Sequence, residues 1–279
     1  MFERKEFKER KPVKDRYLRL ERIGRGRCAN VFLAFDMSEQ RPVALKMPLL
    51  GSNMEFSRRV FDQEAEALMR SASRNVVGLV EAGQTENGPF ITMEYVPGPT
   101  LRGLMAEGRM DRDSVLRISI EICGALDELH SRGVVHRDIK PKNIMIDAQR
   151  SVRLIDFGFA HVAGRFDLTM LSRKRFGNPV YSPPEKTNGK GDPRADVFSA
   201  GVLLYEMLSR RFPVPIIESL KLYDLRLLAL RLRSEVRNGR IAPEDARVIS
   251  KATEWSPERR FQSAAEMRHA IEQLICNIE

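Results

Sequence analysis

The chain has 279 residues, of which 42% are hydrophobic and 30% are charged. This hydrophobic fraction excludes an intrinsically disordered chain and allows one large bilobal domain or two ordinary ones. No run approaches the ~18 uninterrupted apolar residues of a membrane-spanning helix. The first residues, MFERKEFKERK, lack the apolar segment of a signal peptide. We therefore expect a cytoplasmic protein without a membrane span.

The chain is basic, with 47 Lys and Arg against 38 Asp and Glu and a formal net charge of +9. Such a balance is typical of proteins that bind nucleic acid or anionic membranes, and also of enzymes that handle phosphate groups. The charge alone does not decide among these classes. The three cysteines, Cys28, Cys123 and Cys276, have no metal-ligand spacing and form no even set for disulfides, which predicts reduced thiols.

Hydrophobic periodicity divides the chain into a strand-rich and a helix-rich part. Residues 1–16 are interpreted as a solvated, charged arm. Strands are predicted at 17–23, 31–35, 43–46, 76–82 and 90–95, with one helix at 61–69. Further helices are predicted at 101–107, 112–132, 195–209, 221–238, 242–255 and 263–278. The change of pattern predicts a small β-rich lobe at 17–96 and a larger helical lobe at 97–279, with a hinge at 94–98.

Two features of the strand-rich part suit phosphate chemistry. Gly24 and Gly26 lie between the first two predicted strands, where glycines let backbone amides approach phosphate oxygens closely. Taken singly, such a pair is more often a simple turn. Lys46 ends an apolar strand and needs an anionic partner, for which Glu64 on the following helix is the candidate.

A polar loop, His136-Arg137-Asp138-Ile139-Lys140-Pro141-Lys142-Asn143, lies between a predicted helix and the apolar segment 144–146. An Asp can accept a hydroxyl proton, a Lys can neutralise a transferring phosphoryl group, and an Asn can ligate Mg²⁺ through its amide oxygen. Asp156-Phe157-Gly158 directly follows a strand predicted at 152–155, and a carboxylate at a strand end followed by Gly suits a hard divalent cation.

These segments together resemble the protein kinase family, because they occur in the same order and at the same spacing as the family's motifs. The matching segments are the glycine-rich loop at 24–31, VALK at 43–46, HRDIKPKN at 136–143, DFG at 156–158, PPE at 183–185, and then Asp196 and Arg260. The resemblance covers about residues 17–275. The sequences of the motifs are most similar to those of bacterial, eukaryotic-like (Hanks-type) serine/threonine kinases. It implies an α+β bilobal fold, with helix C in a small β-rich N-lobe and a larger α-helical C-lobe.

The resemblance also implies an activity, the ATP- and Mg²⁺-dependent transfer of the γ-phosphoryl group to Ser/Thr hydroxyls of proteins. Asp138 would orient the substrate hydroxyl and accept its proton. Lys140 would steady the γ-phosphate. Lys46 would hold the α- and β-phosphates and pair with Glu64.

The same resemblance implies the positions of the nucleotide and the metal. Asn143 and Asp156 would bind Mg²⁺. Val31 and Ala44 would cover the adenine from above and Met145 from below. Met93 would stand at the back as gatekeeper, and Glu94 and Val96 would offer backbone groups. The full set of expected nucleotide-binding residues is Ile23, Gly24, Gly26, Val31, Ala44, Lys46, Met93, Glu94, Val96 and Met145.

Structural and regulatory roles follow from the resemblance in the same way. Glu185 and Arg260 would form a buried ion pair, and Asp196 would brace the backbone of the catalytic loop. Arg137 would clamp a phosphorylated activation loop. Breaking the buried pair would cost about 3–5 kcal/mol.

The activation loop offers Ser172 first and Thr169 second as phosphosite candidates, or neither is modified. Lys174 occupies a frequent phosphosite and cannot serve. Ala29 replaces the third glycine of the glycine-rich loop. Asn178 replaces a Thr that usually bonds the catalytic Asp and Lys. An amide can make similar bonds, and the change could lower activity or alter the hydroxyl specificity.

Thr100 and Lys142 stand where arginine-directed kinases carry acids, so we expect a protein substrate without an Arg preference upstream of its target. Residues 210–240 carry a net charge of +5, from eight basic and three acidic residues. This region is either a docking surface or a solvated face over an apolar stripe of Leu220, Tyr223, Leu227 and Leu230. A transient homodimer could serve autophosphorylation.

Three other classes were weighed against an active kinase. A pseudokinase would normally have lost Lys46, Asp138 or Asp156, which are all present. The PPE segment, Asp196 and Arg260 argue against a small-molecule phosphotransferase of related fold. A nucleic-acid-binding protein explains the charge but not the motifs, so we do not expect nucleic acid as a partner.

Overall fold

The computed structural model describes residues 11–276 except 27, 50, 52, 109, 167–179, 186–191 and 213–225. The strands are β1 (Tyr17–Arg25), β2 (Ala29–Asp36), β3 (Arg41–Pro48), β4 (Leu79–Thr85), β5 (Gly88–Glu94), β6 (Val134–Val135), β7 (Ile144–Ile146), β8 (Val152–Leu154) and β9 (His161–Val162). The helices are α1 (Met54–Arg70), α2 (Leu101–Ala106), α3 (Arg112–Ser131), α4 (Arg194–Ser209), α5 (Arg226–Arg237), α6 (Pro243–Ala252) and α7 (Ala264–Cys276).

The N-terminal part is a five-stranded antiparallel sheet in the order β1-β2-β3-β5-β4, with α1 beside it. Phe61, Ala65 and Leu68 recur at helical spacing and are buried, which defines the face of α1 that packs inward. Glu64 lies on this same face and is only 1% exposed. The helix begins seven residues before the predicted start, because Asn53 caps it and its first turns are mostly polar and exposed.

Residues 13–16 differ from the solvated arm that was expected for 1–16. Val13 is 9% exposed and belongs to a small apolar cluster on the sheet. Arg16 forms two hydrogen bonds of 2.8 Å with Asp36, and Lys14 lies 2.7 Å from Glu81. Charged residues that look solvated in the sequence are therefore held on the sheet by carboxylates distant in the chain. Residues 1–10 lie outside the described part.

The C-terminal part is built around α3 and α4, with α6 and α7 packed against them. Almost every residue of α4 is buried, as expected of a helix that is apolar all round. The short strand pairs β7–β8 and β6–β9 lie next to this helical core. In the described residues, no helix has the length and apolar character that crossing a bilayer requires.

The buried face of α5 differs from the predicted stripe. Leu228, Leu232 and Glu235 are buried, whereas Leu230 is 59% exposed. The segment LRLLALRL offers leucines on two faces of a helix, so periodicity alone could not select the packed one. Leu220 and Tyr223 of the predicted stripe lie outside the described residues.

The expected α+β bilobal architecture is confirmed. One apolar cluster extends from α1 and β5 through α3 to α4 and α7, and a second, smaller one lies within the N-terminal sheet. The proposed boundary between residues 96 and 97 falls between β5 and α2, where the chain passes from sheet to helices. Lys46 of the sheet contacts Asp156 of the second part, and the space between the two parts beside this contact is called the cleft.

Candidate active site

One face of the N-terminal sheet carries the residues expected to cover a nucleotide. Val31 is paired with Lys46 across β2 and β3, and Ala44 is paired with Met93 across β3 and β5. Paired residues project to the same face, and so do residues two apart on a strand. Val31, Ala44, Lys46 and Met93 therefore lie on one face of the sheet.

The glycine-rich turn is a tight connection between β1 and β2. Gly24 is paired with Val31, and a Cβ atom on Gly24 would lie 3.4 Å from the Val31 Cβ, so the backbones approach closely there. The Gly26 N–H donates to the Ala29 carbonyl at 2.8 Å. The strand pairing is irregular between Arg22 and Gly24, and Ile23 is 45% exposed.

Lys46 is the centre of a buried charge cluster. Its Nζ atom lies 2.6 and 2.8 Å from the two carboxylate oxygens of Glu64 and 2.7 Å from Oδ1 of Asp156. Burial disfavours the charged ammonium, but Asp156 and Glu64 outweigh it and raise the pKa of Lys46 above its ordinary value. Lys46 is therefore a permanent cation in this cluster.

The cluster also keeps Asp156 ionised. Burial of Asp156 favours the neutral acid and would raise its pKa. The ammonium of Lys46 outweighs burial and lowers the pKa of Asp156 to about 2. The Asp156 backbone has a φ of +63°, and the next side chain, Phe157, is 1% exposed. The Phe157 ring lies 4.7 Å from the His136 ring, centroid to centroid. Asp156 and Phe157 thus have different neighbours, Lys46 for the carboxylate and His136 for the ring.

The loop at 136–143 places three polar side chains in direct contact. Lys140 Nζ lies 2.5 Å from Oδ2 of Asp138, and Asn143 Nδ2 donates to the same oxygen at 2.8 Å. Asn143 Nδ2 also donates to the Asp138 carbonyl at 2.9 Å. Burial raises the pKa of Asp138 above its ordinary value of 3.8, and Lys140 opposes this rise. Asp138 is thus a buried carboxylate with two fixed donors.

Asp196, at the start of α4, holds this loop from below. Its two carboxylate oxygens accept the backbone N–H groups of His136 and Arg137, each at 2.8 Å, and His130 Nε2 lies 3.0 Å away. Burial favours the neutral acid, but His130 and the other donors outweigh it and keep the pKa of Asp196 below its ordinary value. Arg137 has a φ of +63°, a strained backbone that the bond to Asp196 helps to maintain.

The two charge clusters are neighbours, because the Ile155 N–H donates to the Asn143 carbonyl at 2.9 Å, next to Asp156. The Asp156 carboxylate is 39% exposed, and no donor of the described residues contacts its second oxygen. Described His, Cys, Asp and Glu side chains form no group of three that could hold a metal alone. Asn143 and Asp156 fit Mg²⁺ if phosphate oxygens and water complete its shell, as is usual for this ion.

The connection between the two parts carries features that suit an adenine ring. No described residue bonds the backbone N–H or carbonyl of Val96, although the residue is only 5% exposed. Met145 lies on β7, in the other part of the molecule, and is bridged to Thr100. The Glu94 N–H is already used by the Gly78 carbonyl at 2.8 Å, so only its carbonyl oxygen would serve a ligand.

The sequence pattern did not point to Arg153, which supports this connection from behind. Arg153 Nη2 donates to Glu94 Oε2 and to the Val76 carbonyl. Arg153 lies between the buried Val152 and Leu154, and the strand alternation is its only signal in the sequence. Its ion pair joins β8 to the segment between the two lobes.

Two predicted residues, Glu185 and Arg260, form an ion pair away from the cleft. Arg260 Nη1 donates to Glu185 Oε1 at 2.5 Å and Arg260 Nη2 donates to Glu185 Oε2 at 2.6 Å. The Arg260 side chain is fully buried. Arg260 also donates to the carbonyls of Glu254, Trp255 and Arg194. The activation-loop predictions, namely Ser172, Thr169 and Asn178, lie outside the described residues.

The protein kinase domain model matches residues 17–274. The serine/threonine-protein kinase PknL of Mycobacterium tuberculosis is 33% identical over 261 residues, which are 92% of this chain and 65% of PknL. PknB of Mycobacterium leprae is 32% identical over 264 residues, 92% of this chain and 42% of PknB. A probable serine/threonine-protein kinase of Streptomyces coelicolor is 34% identical over 259 residues, 90% of this chain and 38% of its own length.

The chain spans less than two thirds of the length of each of these relatives. The similarity nevertheless covers both lobes and every motif singled out in the sequence. The expected similarity to bacterial, eukaryotic-like serine/threonine kinases is confirmed. The chain belongs to the protein kinase domain family.

Proposed function

We propose that this chain transfers the γ-phosphoryl group of ATP, with Mg²⁺, to serine and threonine hydroxyls of protein substrates. One observation carries the proposal: the cleft brings Asp138, with Lys140 and Asn143 bonded to it, next to the Lys46–Glu64–Asp156 cluster. Phosphoryl transfer depends chiefly on positioning and charge stabilisation, and these six side chains supply both.

Asp138 is proposed to accept the substrate hydroxyl proton. Its Oδ2 is occupied by Lys140 and Asn143, which leaves Oδ1 for the hydroxyl. Lys140 would move from Asp138 to the γ-phosphate while that group transfers. Because Asp196 holds the backbone at His136 and Arg137, the Asp138 carboxylate needs little reorganisation.

Lys46 is proposed to bind the α- and β-phosphates, with Glu64 holding its ammonium in place. The adenine would lie between Val31 and Ala44 on one side and Met145 on the other, with Met93 behind it. The other nucleotide contacts would come from Ile23, Gly24, Gly26 and the backbones of Glu94 and Val96. Asn143 and Asp156 would hold Mg²⁺, which when bound neutralises developing phosphate charge.

The proposals for regulation and substrate choice rest on the similarity to the protein kinase family. Arg137 would clamp a phosphate on Ser172 or Thr169, placed there by autophosphorylation in a transient homodimer. Substrates would lack an upstream Arg preference. The cytoplasmic location remains a prediction.

The test is phosphate transfer by the purified protein with labelled ATP and Mg²⁺, and with casein and myelin basic protein as acceptors. Asp138→Asn is expected to lower kcat by at least about 10². Asp113→Asn, an exposed change at the start of α3, is the matched control and should keep full activity. Equal transfer by the Asp138→Asn protein, or labelled lipid or sugar in place of protein, would contradict the proposal.

A further inference from the structure

A surface groove lies between α2 and the C-terminal end of α4, outside the nucleotide cleft. Its volume is about 190 Å³, which suits one or two side chains and is below the ~300–1,000 Å³ of small-molecule sites. Met105, Met110, Met207 and Phe212 supply its apolar lining. Methionine is an adaptable lining residue that accommodates varied apolar shapes.

The groove is also basic, because its lining includes three arginines and a single carboxylate. That carboxylate, Glu206, is used on both oxygens. Oε1 accepts from Arg102 at 2.8 Å and Oε2 from the Tyr181 hydroxyl at 2.5 Å. The Glu206 side chain is 3% exposed, whereas Arg102 is 35% exposed at the groove wall. The floor therefore presents no free negative charge.

The other two arginines extend the positive charge along the rim. Arg210 donates to the Met110 carbonyl at 2.8 Å, and no carboxylate of the described residues lies within ion-pair distance of it. Arg211 lies 3.6 Å from Glu235, but the second oxygen of that carboxylate already pairs with Arg240 at 2.8 Å. Among the described residues, an approaching anion would thus meet Arg210 without a carboxylate partner, beside Arg211 whose partner is shared with Arg240.

Hydrogen bonds link the groove to neighbouring segments on both sides. Arg210 joins the end of α4 to the segment before α3 through Met110, and the Phe212 carbonyl accepts from Arg231 of α5 at 2.9 Å. Phe212 itself remains 36% exposed at the groove edge. A preorganised apolar slot with a basic rim lowers the cost of ordering a bound segment.

We propose that this groove docks an acidic segment of a protein substrate that inserts one large apolar side chain. The proposal rests on the proposed kinase function and names a substrate-binding surface of that same enzyme, distinct from the nucleotide cleft. Carboxylates on the segment complement the rim arginines, and the apolar side chain covers the methionines and Phe212. Docking raises the effective concentration of the target hydroxyl, which lowers KM and leaves kcat unchanged.

The direct test is fluorescence anisotropy with a labelled peptide, Glu-Asp-Glu-Phe-Glu-Asp-Glu, in the absence of ATP. Two matched peptides carry Ser in place of Phe, or Lys in place of every acid. We expect the parent protein to bind the acidic Phe peptide at least about ten-fold more tightly than either of them. Equal binding of the Ser or Lys peptide overturns the proposal.

Variants locate the binding. Arg210→Glu and Phe212→Ser should each weaken the acidic peptide at least about ten-fold. Arg237→Glu, the same charge reversal on the exposed side of α5, should leave the affinity within about three-fold. An equal loss in Arg237→Glu, or equal competition by an unlabelled DNA oligonucleotide, would show non-specific attraction of anions and reject the groove. A concentration-dependent dimer that Phe212→Ser abolishes would assign the groove to a second copy and also reject the proposal.

Because peptide binding is measured without ATP, the kinase function and the docking groove can be rejected independently of each other. Loss of phosphate transfer with peptide binding intact rejects the kinase function alone. Phosphate transfer without peptide binding rejects only the docking groove. For an acceptor peptide fused to the acidic segment, Arg210→Glu should raise KM about ten-fold at constant kcat, with unfolding temperature showing that the variant is folded.

Discussion

The Nζ atom of Lys46 lies 2.6 Å from Oε1 of Glu64, in a place where the glutamate side chain is fully buried. This contact joins β3 to α1, and the same ammonium reaches Asp156 of the other lobe at 2.7 Å. A single cation thus ties β3 and the next helix, α1, to Asp156, which lies 110 residues further along the chain. Its removal affects both the stability of the fold and the chemistry of the site.

Lys46→Met is expected to lower the free energy of unfolding by about 3–5 kcal/mol, because it leaves Glu64 as an uncompensated buried charge. Adding Glu64→Leu should restore most of this loss, since it removes the stranded carboxylate. Phosphate transfer should be absent in both variants. Urea unfolding and an ATP assay measure the two effects, and failure of the second change to restore stability would contradict the buried-pair explanation.

Asp156→Asn should show a pH-dependent difference in stability from the parent. The folded-state pKa of Asp156 is lowered from 3.8 to about 2, so its stabilising contribution is complete above 3.8 and is lost as the pH falls toward 2. The parent–variant difference in free energy of unfolding should be constant from pH 8 to about 5 and shrink below that. Urea titrations at several pH values measure it, and a difference that grows on acidification would refute the assigned direction.

Activity should fall in acid through Asp138 rather than Asp156. Burial raises the pKa of Asp138 above 3.8, whereas that of Asp156 is about 2. A plot of kcat/KM against pH should therefore show an acid limb with an apparent pKa above 3.8. Lys140→Met removes a group that opposes the rise and should move this limb to higher pH. A limb that does not move would argue against Asp138 as its source.

Asp196→Asn should lower the free energy of unfolding by about 1–3 kcal/mol, because an amide oxygen cannot replace both carboxylate acceptors. One of the backbone N–H groups of His136 and Arg137 would lose its partner. The kcat should fall with little change in nucleotide affinity, since the loop that carries Asp138 is displaced. Calorimetry and nucleotide titration separate these effects, with the exposed Asp113→Asn as control.

Arg260→Met should destabilise the protein more than Glu185→Gln does. Arg260 is fully buried and bonds three carbonyl groups besides Glu185, so its removal leaves several acceptors unsatisfied. The Glu185 side chain is 30% exposed and can be hydrated after the change. Loss of the arginine should cost about 3–5 kcal/mol and that of the glutamate less. Denaturant unfolding ranks the two, and the reverse order would contradict this difference in burial.

Much of the cleft could be predicted from the sequence because its chemistry is local. Asp138, Lys140 and Asn143 lie within one loop, and their short separation makes contact among them almost unavoidable. Lys46 at the end of an apolar strand needs an anionic partner, and Glu64 on the following helix is the candidate that the sequence offers. These predictions rest on residue type and spacing, which the chain carries without its folded form.

Other features required contacts between distant segments. Arg153 supports Glu94 from another lobe, and nothing near either residue in the chain indicates the pair. Residues 13–16 have the sequence of a solvated segment, but Lys14 pairs with Glu81 and Arg16 with Asp36. The segment with Leu228 and Leu230 offers two apolar faces, and only packing against the C-lobe selects Leu228.

The sequence by itself thus determined the family, the order of the five strands of the N-terminal sheet and of the helices, and the candidate side chains of the cleft. The roles proposed for them come from the resemblance to the protein kinase family, and the charge and hydrogen-bonding capacity of each side chain suit those roles. The tertiary structure alone decided which helix faces are buried, which charges are compensated, and where the groove of Arg210 and Phe212 lies. Those properties depend on burial and on partners far apart in the chain, and both exist only after folding.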